Sequence, residues 1–221
     1  MTPLRLLAAA ALLAGVAAPA SALSITGTCG SLSGPTELSG AFSCTQFDSA
    51  LGTLNSMSLE IQGLSTGSIT LQNGSNSPQN MSGTTQVSFY ADALAGFSLA
   101  SPLFTASYGT GVQSIPAGAT VVFGPLNAGG STGAMLNNTN LAPYQAAGGG
   151  LFALSGSTLS GLSISGGGGF GGGSAATSAS LTAAVSYEYD TVVKPPIPEP
   201  GTWALAVLGL VGLGWRLRRR S

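Results

Sequence analysis

The chain has 221 residues, of which only 6% are charged, whereas an ordinary globular domain carries roughly 25%. It contains no histidine, and no Lys or Arg lies between Leu23 and Val193. This composition excludes a nucleic-acid partner, because phosphate neutralisation needs clustered cations. It equally excludes histidine-based catalysis and imidazole metal sites.

Residues 1–22 have the three parts of a secretory signal peptide. Arg5 precedes an apolar run at residues 6–18, and the small residues Ala20-Ser21-Ala22 follow it. Signal peptidase requires small side chains at the positions of Ala20 and Ala22. The run is too short to span a bilayer core of about 30 Å. We therefore predict a signal helix that signal peptidase removes after Ala22; the alternative is a retained N-terminal anchor.

Residues 23–193 predict one exported all-β domain. Apolar and polar residues alternate with period 2, which indicates strands with one buried face. Such segments lie at 57–61, 68–71, 87–89, 97–99, 162–164 and 181–190, with a β-branched run at 121–123. Turn signals lie between them, at Asn73-Gly74, Ser82-Gly83 and Pro116–Gly118. The pattern favours an antiparallel β-sandwich or a jelly roll; a β-solenoid is the rival, but no fixed repeat period is present.

Two segments of biased composition interrupt or follow these strands. Gly166–Gly173 is glycine apart from Phe170, so we predict a mobile surface loop there. Residues 194–200 hold four prolines and predict a stiff, extended stalk.

Cys29 and Cys44 are the two cysteines of the chain, and both lie in the exported part. An oxidising compartment favours a disulfide between them. The alternative is two separate buried thiols. A metal site is not predicted, because two thiols without histidine do not complete a tetrahedral set.

No catalytic residue or cofactor is predicted. Gly63-Leu64-Ser65-Thr66-Gly67 matches the G-x-S-x-G pattern, but it lacks a histidine base, so we interpret it as a hairpin turn. Glu188 and Asp190 share one strand face and are interpreted as a solvated pair rather than an acid–base or Ca²⁺ site. Asp48 and Asp92 would join such a site only if the fold brought them close.

Tyrosines are the body's candidates for stacking on sugar rings. Tyr187 and Tyr189 alternate in phase with apolar residues of the last strand, which predicts that they belong to the core. The candidates are Tyr90, Tyr108, Tyr144, Tyr187 and Tyr189.

The carboxyl-terminal end has three parts in a fixed order. Pro198-Glu199-Pro200 comes first, an uncharged stretch at 201–215 follows, and a basic cluster closes the chain. The basic cluster is Arg216, Arg218, Arg219 and Arg220. We predict a short transmembrane helix within 201–221, whose arginines stay cytoplasmic by the positive-inside rule.

This tripartite end resembles the PEP-CTERM sorting signal of Gram-negative bacteria, a tail also labelled the ice-binding protein C-terminal domain. The resemblance implies recognition of Pro198-Glu199-Pro200 by exosortase and cleavage near that motif. It implies an inner-membrane intermediate and then a cell-surface or extracellular protein. A plain transmembrane anchor is the alternative. Ice binding by the body is not implied, since its threonines form no regular ladder in the sequence.

The body itself resembles the choice-of-anchor E domain. Gln46-Phe47-Asp48-Ser49-Ala50-Leu51-Gly52-Thr53-Leu54 is similar to the opening of that exported family, and Tyr187 and Tyr189 to its last strand. The resemblance implies a β domain with interchangeable anchors and no activity. We therefore predict a non-catalytic structural protein of the cell surface or extracellular matrix, with exopolysaccharide as a partner. A small carbohydrate-binding module is the alternative.

Overall fold

The computed structural model describes residues 22–191 and the helical pair Leu208 and Gly209. The predicted signal helix, apart from Ala22, lies outside the described residues, as do the stalk and nearly all of the predicted transmembrane helix. The described residues 22–191 belong to one compact unit. That unit is built almost wholly of strands, which confirms the all-β prediction.

Thirteen strands make up the described body. They are β1 Ala22–Gly27, β2 Ser31–Pro35, β3 Ser39–Thr45, β4 Phe47–Asp48, β5 Gly52–Asn73, β6 Gln79–Ala91, β7 Phe104–Gly109, β8 Gln113–Ile115, β9 Thr120–Ser131, β10 Met135–Asn137, β11 Gln145–Ala146, β12 Leu151–Gly166 and β13 Gly171–Thr191. One 3-10 helix, Ala142–Tyr144, precedes β11.

The strands form two large antiparallel sheets and a small parallel pair. In the six-stranded sheet, β13 and β5 lie at the centre; β1 and β2 pair with β13, and β9 and β10 pair with β5. In the five-stranded sheet the order is β3-β12-β6-β7, with β8 also on β6. The parallel pair joins β4 to β11. The two large sheets share one buried interior, as the predicted sandwich requires.

The pairing of β5 with β13 runs the full length of the body. It extends from Gly52 opposite Thr191 to Asn73 opposite Gly171, with one bulge between Glu188 and Tyr189. The sequence predicted two strands, at 57–61 and 68–71, separated by a turn at residues 63–67. The structure instead has one 22-residue strand there. The turn prediction was wrong because pairing on both sides, with β13 and β9, holds this glycine- and serine-rich segment extended.

Glycines inside β5 and β6 mark close approaches rather than turns. A Cβ at Gly63 would lie 2.6 Å from Cε1 of Phe89, and one at Gly83 would lie 2.7 Å from Cγ2 of Ile69. Ser82-Gly83, predicted as a turn, therefore lies within β6. The predicted turns at Asn73-Gly74 and Pro116–Gly118 are confirmed, since they join β5 to β6 and β8 to β9.

The glycine tract is a strand connection and not the predicted eight-residue loop. Gly166 ends β12 and Gly171 begins β13, which leaves four residues for the turn. Residues 166–169 all have positive φ, which only glycine adopts readily. The Phe170 N–H donates to the Gly167 carbonyl across this turn. The composition that predicted mobility thus forms a tight turn that connects the five-stranded sheet to the six-stranded sheet.

The predicted strand at 97–99 is absent from the described structure. The Phe97 N–H closes a turn on the Leu94 carbonyl, and Gly96 has a φ of 76°. The Phe97 ring packs edge-on against Tyr144, with 5.9 Å between centroids. Phe97 is therefore apolar because it packs against Tyr144, and not because it belongs to a strand, as the alternation had predicted.

Buried side chains form two clusters along the shared interior. The larger cluster is aromatic-rich and includes Phe47, Phe89, Tyr144 and Tyr187. The smaller cluster consists of Ile69, Leu71, Met81, Tyr108 and Ile115. Small or polar inward-facing residues separate them on both sheets; we call Gly63, Ser65, Gly83 and Thr85 the waist.

Candidate functional site

The sorting residues follow directly after the last strand of the body. Pro198-Glu199-Pro200 and the arginine cluster lie outside the described residues, so their roles stay predictions. β13 ends at Thr191, seven residues before Pro198 in the sequence.

The predicted signal-peptide junction meets the same end. β1 begins at Ala22, and Ala22 pairs with Asp190, one residue before the end of β13. The amino-terminal strand and the strand that leads to the sorting motif are therefore neighbours. Ala20 lies outside the described residues, so cleavage after Ala22 remains a prediction.

The disulfide between Cys29 and Cys44 is confirmed, with an S–S distance of 2.01 Å. Cys29 follows β1 and forms an isolated bridge to Cys44 on β3. Two main-chain hydrogen bonds flank it, from Gly30 N to Ser43 O and from Thr45 N to Thr28 O. The bridge thus joins the chain that leaves the six-stranded sheet to an edge of the five-stranded sheet.

Three carboxylates of the body, those of Glu37, Asp48 and Glu188, bind nearby polar groups separately from one another. Asp48 Oδ1 accepts hydrogen bonds from the N–H groups of Ala50 and Gly148, and so ties two loops together. Glu37 Oε1 accepts from Ser160 N at 3.1 Å, and Glu188 Oε2 accepts from Ser56 Oγ at 3.0 Å. Within residues 22–191, no three acidic or thiol side chains are grouped as a metal site requires.

Ser65, the serine of the G-x-S-x-G match, is buried in mid-strand. Its Oγ donates to the hydroxyl of Tyr108 at 3.4 Å. An elbow nucleophile stands exposed on a strand-to-helix turn, whereas this serine is a buried member of the waist. The match is therefore a feature of strand packing.

The tyrosines do not provide exposed stacking platforms. Tyr108, Tyr144 and Tyr187 are buried, and Tyr90 and Tyr189 are half-buried. The prediction that Tyr187 belongs to the core is confirmed, and the ring of Tyr189 packs 5.0 Å from Phe47. The exposed aromatic ring of the described body is Phe170, on the glycine turn, at 70% exposure. The sequence analysis did not identify Phe170 as a candidate, because its neighbours are all glycine and show no alternation of apolar and polar residues.

Burial perturbs two tyrosine hydroxyls in the larger cluster. Desolvation raises the pKa of Tyr144, and desolvation with a smaller effect of Tyr144 raises the pKa of Tyr187 beyond its usual range. The Tyr187 hydroxyl donates to the carbonyl of Thr45 at 2.5 Å, and that of Tyr144 donates to Ala95 at 2.7 Å. Both hydroxyls therefore act as neutral structural donors.

Among the described residues, no helix has the length and apolar character needed to cross a membrane.

Comparison with known protein families identifies the carboxyl-terminal end. Residues 196–220 match the family model of the PEP-CTERM protein-sorting motif. The chain therefore carries this motif, as its sequence predicted, and the match supports export and surface sorting. The resemblance of the body to the choice-of-anchor E domain stays a prediction.

Comparisons of the whole chain give no further assignment. No curated protein matches it. A structure of infectious bursal disease virus, Gx strain, is 12% identical with a TM-score of 0.21; the match covers 79% of this chain and 37% of the viral chain. Parasporin-2, a Bacillus thuringiensis toxin, is 14% identical with a TM-score of 0.11, over 71% of this chain and 75% of the toxin. At such TM-scores neither likeness supports an argument about fold or function.

Proposed function

We propose that this protein is an exported, exosortase-sorted structural protein of the cell surface or extracellular matrix. In this proposal, signal peptidase cleaves after Ala22, and the carboxyl-terminal helix holds the chain in the inner membrane of a Gram-negative bacterium. Exosortase then cleaves near Pro198-Glu199-Pro200 and releases the folded body to the surface or the medium. The match of residues 196–220 to the sorting motif is the observation that carries the proposal.

The chemistry of the body supports a structural role. Its carboxylates hold loops and strand edges, and its hydroxyl-rich strands carry no Lys or Arg. A basic-poor, mildly acidic surface remains soluble and avoids anionic polymers. Neutral exopolysaccharide is therefore the partner class that this surface tolerates. The absence of catalysis is part of the proposal.

Mass spectrometry of the mature protein from medium, surface and membrane fractions tests the proposal. We expect a chain that starts at Leu23, ends within residues 198–202 and weighs two hydrogens less than the dithiol form. Glu199→Gln leaves the apolar stretch and the arginines unchanged, so it should retain the chain in the membrane if the motif is recognised. If the wild-type chain in the membrane fraction still ends in Arg220-Ser221, the tail is a plain transmembrane anchor and the exosortase part of the proposal is wrong.

A carbohydrate-binding module is the second candidate, and Phe170 is the observation that favours it. An exposed aromatic ring on a short, hydrogen-bonded turn offers a face for stacking on a sugar. A glycan array probed with the body should then show saturable binding that Phe170→Ala removes. Val112→Ala, at a second highly exposed apolar residue, serves as the matched control. Binding that is non-saturable or indifferent to Phe170→Ala would favour the structural role.

A further inference from the structure

Strand β1 has an outer edge that no strand of the described body covers. It pairs on one side with β13, from Ala22 opposite Asp190 to Gly27 opposite Val185. Its other side has no partner strand among the described residues. Such an edge presents unpaired N–H and C=O groups, which are a template for an added strand.

The other sheet edges of the body carry protective features. Pro35 lies in β2 and Pro125 in β9, and proline removes a donor from an edge. Residues 28–30 cover the end of β3 through their hydrogen bonds and the disulfide. β8 and β10 have only three residues each, and β7 lies against β9.

β1 has none of these protections. Its sequence, Ala-Leu-Ser-Ile-Thr-Gly, contains no charge and no proline, and its register with β13 is continuous. Leu23 and Ile25 lie on the core-facing side, opposite Tyr189 and Tyr187, yet they remain 42% and 40% exposed. The five-stranded sheet does not fully cover them. An exposed, uncharged edge with apolar side chains is the combination that natural sheets usually avoid.

From this contrast we infer that β1 is a self-association edge, where a second copy of the chain adds its own β1 in antiparallel orientation. Pairing centred on Ile25 places the two Ile25 side chains next to each other and sets Ser24 opposite Thr26 of the partner. It covers apolar surface on one face and puts no like charges directly opposite on the other. The result is a two-fold dimer with one continuous sheet through both copies.

A second copy fits this edge better than a charged partner does. β1 has no charged side chain for a salt bridge, and self-pairing needs only main-chain groups and small side chains. Glu188 and Asp190 lie one strand away from the edge, so their counterparts across the dimer stand about 14 Å apart at three strand spacings. That exceeds the Debye length of about 8 Å at physiological salt, so these carboxylates do not prevent pairing.

The dimer is weak and strengthens with salt. A pair of five-residue strands buries less than the roughly 1,000 Å² of a stable interface, so association belongs in the micromolar-to-millimolar range. The body carries six carboxylates and no Lys or Arg between Leu23 and Val193. Screening of this net negative charge should lower the dissociation constant as salt rises from about 20 mM to about 500 mM.

Analytical ultracentrifugation of residues 23–200 tests the inference, because this segment holds both clusters, the disulfide and every described strand pair except Ala22 with Asp190. A cooperative thermal transition is required first of every variant. We expect a monomer–dimer equilibrium in the wild type, shifted toward dimer by salt. Ser24→Lys with Thr26→Lys places lysines opposite each other in the dimer and should leave monomer only, since directly opposed like charges are destabilising.

The control adds the same two charges to an interior strand of the same sheet. Ser178→Lys with Thr182→Lys changes exposed positions of β13 and should dimerise like the wild type. Hydrogen exchange gives a second measurement: β1 amides should exchange more slowly as the wild-type concentration rises. A wild-type monomer at all concentrations would overturn the inference. So would a dimer that survives the lysines on β1 without slowed exchange there.

Discussion

The larger and the smaller cluster both draw side chains from β5 and β6, but they are stabilised differently. The larger cluster contains six buried aromatic side chains and the disulfide-bonded Cys44. The smaller one is mainly aliphatic, and a buried amide fixes its end. Asn73 donates to the carbonyls of Ser77, Ile115 and Pro116 and accepts from Ser75, so it joins two turns.

The waist explains why one alternating pattern yields two clusters. Inward positions of β5 and β6 continue through it without a change of phase, but they carry glycine, serine and threonine. Strand periodicity therefore decides which side chains point inward. The size of those side chains decides whether a cluster forms: large residues of β5 and β6 fill the interior in both clusters, whereas the small residues of the waist do not. At the waist, rings such as Phe89 fill the space above glycine instead.

The largest expected effect comes from opening a cavity in either cluster. Leu59 and Ile69 both lie on β5 at 0% exposure, one in each cluster. Leu59→Ala and Ile69→Ala should each cost about 2–5 kcal/mol of unfolding free energy. Because β5 contributes residues to both clusters and pairs with β13 along its whole length, we expect one urea transition by circular dichroism in both variants. Two separated transitions would show that the waist divides the body into independent units.

Removal of the disulfide should destabilise the body by about 3 kcal/mol, the value expected for a loop of this size. The two cysteines are 15 residues apart. Urea unfolding of the oxidised chain is compared with that of Cys29→Ala/Cys44→Ala. Because Cys44 belongs to the larger cluster, the backbone amides of that cluster should lose more hydrogen-exchange protection than the amides around Ile69 in the smaller cluster. Equal loss at both clusters would contradict that localisation.

Alkaline pH should act through the larger cluster. The raised pKa of Tyr187 means that its hydroxyl stays neutral in the folded chain after a free tyrosine has ionised. Its contribution is fully present below pH about 10 and is lost as pH rises toward the folded pKa, at about 1.4 kcal/mol per pH unit. Tyr187→Phe should flatten the fall of unfolding free energy above pH about 10. If the slope there equals that of the wild type, Tyr187 is not the titrating group.

The smallest effect is a stabilisation at the waist. Thr85 Oγ1 is buried and lacks a hydrogen-bond partner within the described part of the chain. Thr85→Val keeps the shape and removes the unpaired hydroxyl, so the unfolding free energy should rise by about 1 kcal/mol. Thr158→Val is the matched control, because Thr158 Oγ1 accepts from Leu38 N at 3.1 Å and its loss should destabilise. Thermal melts of both variants measure the change: the melting temperature should rise for Thr85→Val and fall for Thr158→Val.

The sequence alone predicted those features that depend on local pattern or on an ordered set of short motifs. Alternation identified the last strand and placed Tyr187 in the core, since a strand with one buried face repeats every two residues. The sorting motif was evident because its three parts follow one another in the chain. Two cysteines in an exported chain predicted their own pairing.

Tertiary structure decided what small residues do. Gly63–Gly67 and Ser82-Gly83 have the composition of turns, yet neighbouring strands and the ring of Phe89 hold them within sheets. Gly166–Gly169 have the same composition and do form a turn, where positive φ is required. A glycine leaves both outcomes open, because it adopts either backbone conformation and its role depends on what approaches it. The uncovered edge of β1 likewise depends on which strands lie beside it, and only the assembled sheets determine that.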